Sequence, residues 1–507
     1  MALLDRFLKR KAPEPTAAEP APAARDFAPN PWANGRVRSA GFFSSDVNRL
    51  LQGWDTSSSS IDHYLQSELR PLRSRSRKMV RANPYGKRFI VTIKSNVVGP
   101  NGVTIQSQST RVKPGVGEVL DTPANDAIEA AFADWAQRHC DFHGKQTFVD
   151  LQNIAIASAA QDGEFIFRKE YSGKYGFQLR CIDPELLDVR KNEPLKNGGE
   201  IRLGVEYDSA GRVAAYWFRE KQFGQYDMGN SIRVVARHII HGFIGEWPDQ
   251  SRGIPWMHSG LERAKHLEKY EESAIVKARS TASTMAVIKT RDGDDPYTGD
   301  DGEAEDGVTL DQFEAGTIKD IGNHDIVNLD SDYPHQMYGA FVKTQLQGIA
   351  SGLGISYHTL ANDLEGVNYS SIRAGVLEDR EIFKGLQNWF IRSFVRPVFE
   401  EWLSYCWLKG LIKIGTRPLA RPLDEYMPAH YQGRRWAWVD PAKDGAANQL
   451  AINERLKSRS QIMREQGDDP ESVWREIQRD NDMMASLGIQ PVAQAPVAPA
   501  TEEQTDD

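Results

Sequence analysis

The sequence predicts an α+β fold, and three observations carry that expectation. Between residues 164 and 243, short alternating runs of apolar and polar residues are separated by turn signals, the pattern of antiparallel strands. Residues 125–140 and 147–161 instead repeat their apolar residues at helical spacing, through Ile128, Phe132 and Trp135 in the first. From residue 257 onward long helical stretches dominate. A chain of 507 residues can bury a sizeable core and divide into two or more domains.

Taken in chain order, residues 1–59 are expected to be a disordered arm. Its stretch 12–32 is rich in Pro and Ala and cannot build a core, and Leu3, Leu4, Phe7 and Leu8 before it could line one face of a short helix. A helix is predicted over 60–82. It carries Arg70, Arg73, Arg77 and Arg81 on one face at spacings of three or four, and Asn-Pro-Tyr at 83–85 ends it. The following RFIVTIKSNVVG is rich in β-branched residues and predicts a strand with a glycine turn. After the two amphipathic helices come strands at EFIFRKEY, FQLRCIDP, GVEYDSAGRVAAYWFRE and RVVARHIIHGF, with Asp-Ser-Ala-Gly-Arg turning a hairpin.

PDQSRGIPW (248–256) is a loop, and the character of the chain then changes. Residues 257–283 form a helix too polar to stand alone, so it must pack against neighbours or copies. A short β-like run, TMAVIKT, leads into the acidic segment. A second helix, 335–352, ends at Gly352 and Gly354. A third, about 371–410, would be roughly 60 Å long at ~1.5 Å per residue, bent near Pro397. Residues 440–487 make a small helical unit, and the tail beyond about 488 is acidic and disordered.

Apolar residues at 40% and charged residues at 26% are ordinary for a water-exposed protein. No apolar run approaches the ~20 residues of a membrane span, and MALLDRFLKRK lacks the apolar centre of a signal peptide. Three scattered cysteines, Cys140, Cys181 and Cys406, argue against a disulfide framework. The net charge of −8 conceals two opposed blocks. Residues 66–90 carry eight Lys/Arg and one acid; residues 291–306 carry eight Asp/Glu and one Arg. Such blocks suit partners arranged by charge, or two solvated surfaces.

The motifs that suggest chemistry fail on inspection. SGLGISYHTLANDLEGVNYSS (351–371) contains Gly352-x-Gly354, but Tyr357 replaces the third glycine and a helix precedes it. Ser370 and Ser371 lack a nucleophile elbow and, with Asn368, suit a helix start. His139 and His143 have zinc-motif spacing, but Cys140 stands where a general base belongs, and a helix end explains them better. The acidic block has Pro296 within its would-be calcium loop, and no P-loop is present. These readings predict a binding or assembly protein, with no catalytic residues, cofactor or metal.

Several stretches taken together resemble the portal proteins of lambda-type phages, over roughly residues 60–480. They are RANPYGKRFIVTIKSNVVGPNG (81–102), Trp135 followed by DFHGKQTFVDLQ, DGEFIF (162–167), IDPELL (182–187) and GVEYDSAGRVAAYW (204–217). PDQSRGIPW, IASGLGISYHTLANDLEGVNYSSIR (349–373) and VDPAKDGAANQ (439–449) complete the set. The resemblance implies a ring, typically of twelve copies, at one capsid vertex, through which double-stranded DNA is packaged and ejected. It implies a portal fold: a wing at 60–256, stem helices at 257–283 and 335–354, a clip at 284–334, a channel loop at 355–369, a long bent helix at 370–410 and a crown region at 411–487.

On that resemblance Tyr357, His358, Asn362, Asp363, Glu365 and Asn368 would face the DNA channel. No Lys or Arg occurs from 344 to 372, so Asp363 and Glu365 would repel phosphate and let DNA slide. Arg70, Arg73, Arg77 and Arg81 would contact phosphate or a partner. Asp294, Asp295, Asp300, Asp301 and Glu303 would face the large terminase subunit or a head-completion adaptor. Major capsid and scaffold proteins are further expected partners, with no membrane, and the expected location is the virion, with assembly in the host cytoplasm. The competing expectations are a monomeric, non-specific nucleic-acid-binding protein built around the basic helix, and a serine hydrolase using Ser370 and His358.

Overall fold

The computed structural model describes residues 59–114, 117–220, 230–283, 287–290, 324–327, 337–363, 365, 369–436, 441–466 and 470–487. Helix α1 (Ile61–Ala82) begins at Ser60, whose hydroxyl accepts from the His63 amide. It ends as Asn-Pro predicts, and Asn83 at once caps the next helix, α2 (Pro84–Val97), accepting from the amides of Tyr85 and Gly86. The strand expected at RFIVTIK is therefore a helix. Its buried residues Phe89, Ile90, Ile93 and Val97 follow helical spacing, and Pro84 sits in the first turn, where its missing N–H costs nothing. Gly86 lets the two helices close, since a Cβ there would lie 2.7 Å from the Met79 carbonyl oxygen.

Strands β1 (Thr104–Ser107), β2 (Thr110–Lys113) and β3 (Gly117–Leu120) precede α3 (Thr122–Arg138) and α4 (Phe148–Asp162). Thr147 and Asp150 form a reciprocal capping box that opens α4. Then come β4 (Glu164–Glu170), β5 (Gln178–Ile182), β6 (Glu193–Pro194), β7 (Glu200–Arg202), β8 (Val205–Tyr207), β9 (Val213–Arg219), β10 (Ser231–Val235) and β11 (Ile239–Phe243). They form two antiparallel sheets, in the orders β10-β9-β8-β7-β6 and β11-β4-β5. The predicted hairpin is present, with Tyr207 opposite Val213 across the Asp-Ser-Ala-Gly-Arg turn.

Helix α5 (Leu261–Ser283) precedes the ribbon of β12 (Val287–Thr290) and β13 (His324–Val327), paired antiparallel. Helix α6 (Tyr338–Leu353) ends at Gly354 in the left-handed conformation, φ 66°, as expected for a glycine C-cap. The short α7 (Tyr357–Ala361) leads to α8 (Tyr369–Phe390). A π-helical turn (Ile391–Val395) joins α8 without a break to α9 (Arg396–Leu408). Pro397 explains the turn: it offers no amide and crowds the preceding carbonyls, so the ladder widens and the Arg396 amide bonds Ile391 O.

This long helix runs through the core. Phe394 packs against Phe167 with ring centroids 4.8 Å apart, and also against Phe165, Phe148 and Phe390. Trp402 meets Phe132, Trp135 and Phe399. The buried indole of Trp135 donates to Phe177 O at 2.8 Å. After β14 (Lys413–Ile414) and β15 (Arg417–Pro418), β16 (Ala429–Gln432) pairs with β1, a long-range closure not evident in the sequence. Helices α10 (Pro441–Asn453), α11 (Arg459–Gln466) and α12 (Pro470–Ser486) form the expected helical C-terminal region.

Candidate functional site: the 354–365 segment and the basic helix

The segment after α6 is pinned from two sides. Ser356 caps α7, and its amide and hydroxyl bond the carboxylate of Asp379 on α8 at 2.9 and 2.7 Å. The Thr359 hydroxyl donates to the same buried carboxylate at 2.5 Å. Asn362 then ends the short helix at φ 55°, a left-handed conformation that Asn tolerates better than most residues.

Asp363 is the second pin. It accepts from the Tyr357 hydroxyl at 2.7 Å and the Glu365 amide at 2.9 Å, and Lys343 of α6 approaches at 3.5 Å. A ring nitrogen of His358 lies 2.8 Å from the Asp363 carbonyl oxygen. The Tyr357 hydrogen bond is the first cause holding the Asp363 carboxyl below its ordinary range. Partial burial, then Asp363 itself, push Tyr357 up to about 12. Asp363 is thus an internal strut, one of whose partners is a cation just outside the Lys/Arg-free stretch. Glu365 is the exposed carboxylate. Asn368 lies outside the described residues.

Most of the basic stripe expected to contact phosphate or a partner turns inward. Arg73 is buried and reaches Glu164 at 2.7 Å, Asp162 O and Pro184 O. Arg77 forks between Asp162 and Asp183, and Arg70 bonds Glu185 at 2.9 Å. Of the four, Arg81 alone is exposed. Periodicity found the face but could not say what it meets, since the acidic partners lie 85 to 115 residues away.

Glu164 is the centre of this cluster. Its fully buried carboxylate accepts from Arg252, Arg73 and the Gly253 amide, with His241 Nε2 at 3.1 Å. Burial by itself would raise its pKa; Arg252 and Arg73 outweigh that and hold it well below the usual carboxylate range. Gly163 and Gly253 press backbone to backbone at the same place, where a Cβ on either would collide. DGEFIF and PDQSRGIPW are therefore two halves of one buried ionic joint. Sequence inspection singled out both without seeing that they meet.

Helices α5 and α6 bury Ala264 and Leu267 of the first and Leu346, Ile349 and Ala350 of the second in the main core, and Ala274 of α5 is buried as well. Tyr270 stacks on Tyr338 and meets Phe341. Other apolar side chains are left outward: Ile275 is 52% exposed, Val276 59% and Met337 63%. The acidic residues Asp294, Asp295, Asp300, Asp301 and Glu303 lie outside the described residues.

A model of the family described as "Phage portal protein, lambda family" matches residues 47–387. A protein described as "Probable portal protein" of Halomonas phage phiHAP-1 is 32% identical over 454 residues, covering 87% of this chain and 86% of that one. Portal protein B of Escherichia phage lambda is 24% identical over 510 residues, covering 90% and 93%. Among solved structures, a chain in the neck of an empty gene transfer agent particle gives a TM-score of 0.41 at 14% identity, covering 79% of this chain and 94% of that one. The chain belongs to the lambda family of phage portal proteins. Its function is that of a capsid portal.

Proposed function

We propose that copies of this chain close into a ring, of twelve by the family's usual plan, whose central channel passes double-stranded DNA during packaging and ejection. The observation that carries the ring is the stem pair. Ile275 and Val276 stand exposed on α5, a helix otherwise rich in charged residues, and neighbouring copies placed around an axis would cover them in every copy alike. Residues 257–283 and 335–354 would be the stem, 60–256 the wing, 284–334 the clip and 411–487 the crown region. The loop at 355–369 would border the channel, with Tyr357, His358, Asn362 and Asp363 shaping it. Its exposed Glu365, repeated around the ring, would present phosphate with a repulsive collar.

Asp294, Asp295, Asp300, Asp301 and Glu303 would offer the large terminase subunit and the head-completion adaptor an acidic surface, matched by basic charge on those partners. Capsid and scaffold proteins would meet the wing, with assembly in the host cytoplasm before the portal takes its place in the virion. The test is a packaging assay with Glu365→Lys. The channel role predicts slowed packaging and altered retention of DNA; unchanged packaging and retention would remove this loop from the DNA path.

A further inference from the structure

Beside α1 lies a groove of about 620 Å³. Its walls include Ser67, Arg70, Arg77 and Arg81 on the helix, and Glu185 and Arg190 on the segment after β5. Arg70 and Arg77 are only partly exposed, and their guanidinium groups are fixed by Glu185, Asp162 and Asp183. Their rotamer entropy is already lost, so an arriving anion would not have to order them. Arg81 on the helix and Arg190 on the segment after β5 stand exposed along the groove. Arg70 and Arg77 give the concave groove rigid walls but are charge-compensated, so the positive charge it offers an anion is that of Arg81 and Arg190. Its volume falls in the range of sites for small ligands or a few residues of peptide, and a DNA duplex is too broad to enter.

We propose that this groove seats an extended acidic peptide, and that its occupant is the acidic tail of this protein. The stretch 488–507 carries Glu502, Glu503, Asp506 and Asp507 and no Lys or Arg. It follows α12, and the fourteen residues from 488 to 501 would span about 45 Å if extended. That length lets the carboxylates search widely, from their own copy or an adjacent one. Carboxylates suit the fork geometry of arginine, and closely spaced acids in one short segment match the exposed guanidinium groups of Arg81 and Arg190. The seated tail would tie the C-terminal region to α1 and would compete with any other acidic segment that docks there.

The test is fluorescence anisotropy with a labelled peptide of residues 494–507. It is titrated with the full chain, with a full chain whose four tail acids are replaced by amides, and with that second chain carrying Arg81→Glu and Arg190→Glu. Both arginines are exposed, so the fold should persist, and thermal melting checks it. The proposal expects binding to the tail-neutralised chain, at least fivefold weaker binding to the unaltered chain because its own tail competes, and at least tenfold weaker binding after the arginine reversals. Equal binding with and without Arg81 and Arg190 would overturn the groove. Equal binding to the unaltered and tail-neutralised chains would overturn the tail as occupant. A short DNA duplex that displaces the peptide at equal charge concentration would overturn the choice of peptide in favour of phosphate.

Discussion

Arg252 and Glu164 lie 88 residues apart in the chain and meet at 2.6 Å with both side chains withdrawn from solvent. Arg73 of α1 completes the arrangement from a third segment. Two arginines share one carboxylate here, and backbone carbonyls accept from several of their other donors. Such a cluster fixes how three segments join, and the cost of breaking it exceeds the net gain of forming it.

Glu164→Gln should therefore destabilise the chain by about 3–5 kcal/mol, because both guanidinium groups stay buried without their counter-charge. Urea unfolding followed by tryptophan fluorescence measures it. A loss below about 1 kcal/mol, the scale of an exposed ion pair, would mean that the cluster is hydrated in solution.

The same carboxylate makes a pH prediction. Its folded-state pKa is depressed, Arg252 and Arg73 outweighing burial. Its stabilisation is present in full above the unfolded value of about 4.3, and is lost as pH falls below that toward the folded value. Urea midpoints compared at about pH 7 and about pH 3.5 should fall more steeply for the unaltered chain than for Glu164→Gln. Parallel slopes would contradict the assignment.

Phe394→Ala should cost about 3–5 kcal/mol, since its ring fills the junction of α4, β4 and the π turn. The same denaturation experiment checks it. A small effect would show that the neighbouring rings collapse into the space.

The two acids of the 354–365 segment should behave differently. Asp363→Asn weakens the contacts to Tyr357 and Lys343, so amide hydrogen exchange over 356–365 should accelerate. Glu365→Gln should leave exchange unchanged, because Glu365 is exposed and its own amide, not its side chain, makes the bond to Asp363. Equal effects from both substitutions would contradict the distinction.

Much of the body was legible in the sequence, and the misses share a cause. The strands at 164–243, the hairpin at 207–213 and the cap glycine at 354 depend on local pattern, which a sequence displays directly. RFIVTIK was misassigned because its β-branched content masked the 89, 90, 93, 97 spacing and the Asn-Pro cap in front of it. The arginine stripe was found as a face, but Asp162, Glu164 and Glu185 belong to distant segments that no periodicity connects to α1. The β1–β16 pairing was missed for the same reason. In the 354–365 segment the acids stand out in the sequence, while the roles of Tyr357 and Lys343 depend on side-chain geometry alone.

The proposed ring would bury faces that a single chain leaves exposed. Ile275→Glu with Val276→Glu should abolish assembly while leaving the melting temperature of the single chain nearly unchanged, since both side chains are already exposed. Native mass spectrometry of the unaltered and doubly substituted chains tests this most directly, with negative-stain electron microscopy of the same samples. The account predicts rings with an open centre and a mass near twelve copies for the unaltered chain, and single chains for the variant. A unaltered chain that stays single at every concentration and salt tested, or a variant that assembles as well as its parent, would contradict it.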